Sequence, residues 1–113
     1  MIPNELKSST RDLIGQLARG DYQSAVGRCA KSRLSVDDLR SAIREYGRTL
    51  VMPPAEAYAN LDAVQVKSAV FPTWSVRAPL WTAEEGRSDL TLELTITLAA
   101  GEPSIELDDL RVP

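Results

Sequence analysis

From Leu90 to Leu98 the chain alternates without a break: Leu90, Leu92, Leu94, Ile96 and Leu98 on one side, Thr91, Glu93, Thr95 and Thr97 on the other. A period of two held over that length marks a β-strand with one face buried and one face in water. Such a strand belongs in the middle of a sheet, and its apolar row has to be covered by another layer.

The flanking residues set its neighbours. Trp74, Val76, Ala78 and Leu80 form an apolar row before it, and Ala83 to Arg87 join the two strands. A hairpin centred there puts Arg77 opposite Glu93 and Trp81 opposite Asp89, with core residues facing core residues. Pro79 has no N–H to donate, which predicts an edge or a bulge near the end of that strand. An earlier strand starts at Asp62, with Val64, Val66 and Val70 facing one way. After the central strand, a two-residue turn at Gly101-Glu102 places Ile105 opposite Leu98 and Leu107 opposite Ile96. Leu110 and Val112 are then out of phase, and one extra residue at Asp108-Asp109, a β-bulge, restores it and brings Arg111 beside Glu93.

Before Asp62 the apolar period is helical. Leu6, Leu13, Ile14 and Leu17 predict a helix over 3–19, begun by Pro3 and stopped by Arg19-Gly20. Asp21 caps a second helix over 22–31 with Tyr22, Ala25, Val26 and Cys29 on its inner face. Ser35 and Asp38 have the spacing of a capping box, and Val36, Leu39, Ala42, Ile43 and Tyr46 form one stripe that ends at Gly47. Leu50 to Met52 read as a short extended piece broken by Pro53-Pro54, and Ala55 to Leu61 as a single helical turn.

These elements predict one α+β domain over 1–113: a helical part over 1–50, and an antiparallel sheet over 62–113. Three N-terminal helices pack on one face of a four-stranded meander, an order that resembles the NTF2-like cone. A narrower resemblance lies in Trp74-Ser75-Val76, Pro79-Leu80-Trp81-Thr82, Glu84 to Leu92 and the ending Ile105 to Val112. These segments are similar to an uncharacterised family of small bacterial proteins. In size and charge the chain also resembles immunity proteins encoded beside polymorphic or contact-dependent toxins, a likeness that carries over no catalytic residue.

Charge divides the chain as the period does. Residues 1–51 carry +3 and residues 52–113 carry −6, for a net −3. The acidic half is a poor match for nucleic acid, whose phosphates call for clustered Lys and Arg. No segment has the roughly 20 apolar residues of a membrane helix, and Met1 to Lys7 lack the pattern of a secretory signal, so a cytoplasmic location is expected. The chain has no histidine, which removes Ser/His/Asp triads and the usual histidine-containing metal sites. Cys29, the single cysteine, lies on a helix stripe and reads as a core thiol. No cofactor or metal is expected, and no enzymatic activity.

What remains points to binding. The first expectation is an immunity-type protein that neutralises a cognate toxin, a basic nuclease, through Glu84, Glu85, Asp89, Glu106, Asp108 and Asp109 with Trp81 as an anchor. Each has a plain structural alternative. The Glu84–Asp89 run also reads as a solvated turn, Trp81 as a side chain covered by Pro53–Leu61, and the last-strand acids as protection of a sheet edge. Arg77, Glu93 and Arg111 likewise read as an ion-pair ladder. The second expectation is an NTF2-like small-molecule-binding protein or pocket enzyme, its pocket lined by Tyr22, Tyr46, Trp74 and Cys29. The outer sheet stripe, Thr91, Glu93, Thr95 and Thr97, is polar enough for a monomer or a weak homodimer.

Overall fold

The structure is a computed structural model and describes residues 2–67 and 69–113. Four helices, α1 (Asn4–Ala18), α2 (Tyr22–Arg28), α3 (Val36–Tyr46) and α4 (Ala55–Ala59), accompany six strands. The strands are β1 (Lys31–Ser32), β2 (Leu50–Val51), β3 (Asp62–Gln65), β4 (Thr73–Thr82), β5 (Gly86–Ala99) and β6 (Glu102–Arg111). The antiparallel meander β3–β6 is as expected. The sheet around it is larger than the predicted four strands, with order β1-β6-β5-β4-β2 and β3 also paired to β4. The additions are two-residue strands, too short to show a period. β1 arises because α2 ends at Arg28, earlier than expected, so that Ala30 and Arg33 can donate their N–H groups to Ile105 and Leu107 of β6.

Capping chemistry sets the helix ends. Ser35 and Asp38 form the predicted capping box, each side chain accepting from the other's backbone N–H at 3.0 and 2.9 Å. Gly47 then ends α3 in the left-handed conformation. The helices cover one sheet face. Leu6, Leu13, Leu17 and Leu39 bury against Val76, Leu80, Leu92, Leu94, Ile96 and Leu107 in one core. Cys29 is only half-buried at the edge of that core, its thiol donating to the Ala25 carbonyl. Burial pushes its pKa up, which keeps the thiol protonated at neutral pH.

Three expectations about the sheet need correction. β3 has the opposite phase: Ala63 packs on the core, while Val64, Val66 and Val70 are exposed, the last at 93%. The run of valines misled because an edge strand need not bury its larger side chains. In the β4–β5 hairpin Arg77 does face Glu93, but Trp81 pairs with Arg87 rather than Asp89. Between Pro79 and Trp81, β5 carries two more residues than β4 does, and Ser88 to Leu90 bulge opposite Leu80. The buried Ser88 hydroxyl repairs the ladder by donating to the Leu80 carbonyl at 2.8 Å and accepting the Leu90 N–H at 3.2 Å. The last hairpin turns at Ala100-Gly101, both at positive φ, one residue earlier than expected. Ile105 therefore faces Ile96, and Leu107 faces Leu94. The bulge at Asp108-Asp109 is present: Glu93 pairs with Asp109 while Leu94 pairs with Leu107.

Candidate functional site: a cleft at the gap in the sheet edge

β4 has two partners on its outer side. Its first half pairs with β3 through Trp74 to Arg77, its last two residues with β2 through Trp81 and Thr82. Residues 52–61 loop away between the two short strands, because Pro53 and Pro54 cannot continue β2 and Pro54 starts α4 instead. The ladder has a gap there. Val66 donates to the Thr73 carbonyl and Ala83 to the Thr49 carbonyl, so odd-numbered residues of β4 turn their backbones to this side. Pro79 is the odd-numbered residue between the two pairings, and having no N–H it leaves no donor stranded in the gap.

The gap opens into a cleft of about 590 Å³, a size typical of small-ligand sites. One wall is the α4 segment, with Pro53, Ala57, Tyr58 and Leu61; the other is the sheet, with Ala78, Pro79, Trp81 and Thr91. Four charged side chains stand around it, Glu56 and Asp62 on the helical side, Arg77 and Arg87 on the sheet side. Among the described residues neither arginine makes a salt bridge within 4.0 Å or a side-chain hydrogen bond. Asp62 is the register partner of Arg77 on β3 yet forms no ion pair with it. The Trp81 ring lies over Gly86, 3.7 Å from where a Cβ there would stand. Tyr58 is 8% exposed, and its hydroxyl has no hydrogen-bond partner. Burial raises its pKa, opposed by the charge of Arg11 and reinforced by that of Asp12, both on α1.

The acidic residues singled out from the sequence fall into two groups. Glu84, Glu85 and Asp89 surround the β4–β5 turn. Glu84 accepts from the backbone N–H and hydroxyl of Thr49, both at 2.9 Å. These bonds hold its carboxyl below the usual glutamate range. Glu85 accepts from the hydroxyls of Tyr46 at 3.0 Å and Thr82 at 3.1 Å, and the N–H of Asp89 donates to Tyr46 at 3.3 Å. The tip is thereby tied to the end of α3 and the start of β2. Glu106, Asp108 and Asp109 lie on β6. Asp108 accepts from Thr95 at 2.7 Å, and Asp109 from the N–H of Leu110 at 2.8 Å, with Arg111 at 3.5 Å. Glu93 takes Arg111 at 2.8 Å, an ion pair that raises the arginine pKa further. Glu93, the register partner of Asp109, is seven residues along β5 from Gly86. At about 3.3 Å per residue the two acidic groups are on the order of 20 Å apart.

Of the predicted site residues, Trp81 alone lines the cleft. Arg77 entered the sequence reading as part of an ion-pair row, and Arg87 as a loop residue; Pro79 was the signal of a broken edge. Tyr22, Trp74, Tyr46 and Cys29, the expected pocket lining, pack as half-buried residues around the core and do not line it. Among the described residues no three Cys, Asp or Glu side chains form a metal-ligand group, and no helix is long and apolar enough to cross a membrane.

A family model described as a domain of unknown function (DUF7668) matches residues 14–113. No curated protein and no solved structure matches the chain.

Proposed function

The chain belongs to that family, and we propose that it is a small ligand-binding domain whose site is the cleft at the gap in the sheet edge. The observation that supports the reading is the pairing of an apolar, Trp-walled recess with arginines that have no internal partner. Unpaired guanidinium groups contribute little to folding, so their place beside a recess of ligand size suits recognition. We read the architecture as a version of the NTF2-like cone, a reading that helices over one face of a long-stranded sheet support. A fragment screen followed by two-dimensional NMR tests the site. The expected shifts are at the Trp81 indole, Ala57, Ala78 and Thr91; hits that move only residues elsewhere refute it.

A second reading has its own observation. The sheet face away from the helices carries Glu106, Asp108 and Asp109 on β6, and Glu84, Glu85 and Asp89 are exposed around the turn. An immunity-type protein that neutralises a basic nuclease toxin would use these carboxylates, with Trp81 between the two groups as its anchor. Binding to the product of the adjacent gene, lost on reversing all six charges, is the expected result. Undiminished binding by that variant removes this reading.

A further inference from the structure

We infer that the cleft takes a singly charged organic carboxylate with an aromatic or acyl body, the carboxylate held by Arg87 and the body lying against Trp81 and Pro79. This rests on the cleft being the binding site. Arg87 is the register partner of Trp81, so guanidinium and indole stand side by side on the same strand pair. A planar guanidinium that meets no carboxylate of its own offers paired N–H donors to a carboxylate, and the indole face offers area to a ring or chain at small entropic cost.

The opposite wall sets the charge. Glu56 and Asp62 match the two arginines in number, so the charged side chains of the lining balance, and Pro113 also lines the cleft. A second negative charge would have only Arg77 left to meet it, and Arg77 already has Asp62 as its register partner, so a single charge at Arg87 is the better match. The shape argues the same way. Pro53, Ala57, Leu61 and Ala78 make the depth of the recess apolar, which suits a hydrocarbon body and not a sugar or a chain of phosphates. Tyr58 adds to the same wall.

Phenylacetate, hexanoate, benzyl phosphate and phenylacetamide, titrated singly into the full chain and followed at the Trp81 indole by NMR, test the inference. Both carboxylates should bind, with phenylacetate roughly tenfold tighter than its amide and tighter than benzyl phosphate. Arg87→Gln should remove that preference for the acid while leaving the weak binding of the amide unchanged. If the amide binds as well as the acid, or Arg87→Gln weakens both alike, the carboxylate inference is overturned and the cleft remains the site. If benzyl phosphate binds most tightly, the site is one for phosphate esters and the argument for a single charge is wrong. Silence of Trp81 toward all four compounds overturns the inference together with the reading of the cleft on which it rests.

Discussion

The acidic tip of the β4–β5 hairpin and the cleft two residues further back on β4 are both exposed and both charged, yet their charges are disposed in opposite ways. At the tip Glu84 and Glu85 each take two internal hydrogen bonds, and Ser88 closes the ladder behind them. At the cleft the side chains of Arg77 and Arg87 take none among the described residues. The tip carboxylates fasten α3 and β2 to the sheet and so belong first to the fold, while the cleft arginines have no internal partner that would tie them to it among the described residues.

Removing tip groups should therefore cost stability, and removing cleft groups should not. The largest effect is expected from Ser88→Ala, which leaves the buried Leu80 carbonyl and Leu90 N–H without their partner. A loss of about 2 kcal/mol is expected in urea unfolding; a loss under about 0.5 kcal/mol would show that the bulge closes without the hydroxyl. Tyr46→Phe comes next. It removes the bond to Glu85 and the one accepted from Asp89, both exposed to solvent, and about 1 kcal/mol is expected by the same measurement. An unchanged midpoint would mean that α3 is held to the tip by packing alone.

How much of this was legible in the sequence follows from the range of each interaction. The core rows of β4, β5 and β6, the capping box at Ser35 and the bulge at Asp108 were readable because period and short spacing carry them. The bulge at Ser88 was not, since its cause is a single side chain replacing a ladder bond, and alternation across the hairpin looks unbroken without it. Ala100 hid the true position of the last turn, because alanine is a rare choice at positive φ and Gly101-Glu102 offered the better signal. The phase of β3 depended on which side of a half-covered edge met the core, and four residues cannot announce that. The cleft needs residues 53–62 and 77–91 brought together by packing, with Ile14 and Pro113 completing the lining. Pro79, a break in an otherwise regular row, and the reading of Trp81 as covered by Pro53–Leu61 hinted at it.

A smaller effect, and one with a pH signature, is expected at Glu84. Its folded pKa lies below the ordinary value of 4.5, so its ionised form is favoured by the fold. The stabilisation is fully present above the unfolded value and is lost as the pH falls through the lowered folded one. Wild type and Glu84→Gln should differ in unfolding midpoint at neutral pH, and the difference should shrink as the pH drops below the usual glutamate range. A difference that stays constant into strong acid would assign the effect to the shape of the side chain and not to its charge.

The smallest effect is the most telling. Arg87→Gln removes a charge with no internal partner, so the unfolding free energy should stay within about 0.5 kcal/mol of wild type. Arg77→Gln should behave the same way, or lose slightly, because its register partners Asp62 and Glu93 then have one positive charge fewer nearby. A loss above 1 kcal/mol at Arg87, on the scale of Tyr46→Phe, would mean that the guanidinium supports the β4–β5 pairing through its stem across Trp81. The contrast between tip and cleft would then collapse, since both sets of charges would serve the hairpin. Stability retained at Arg87 together with stability lost at Ser88 and Tyr46 is the pattern that separates a charge kept for a ligand from charges kept for the fold.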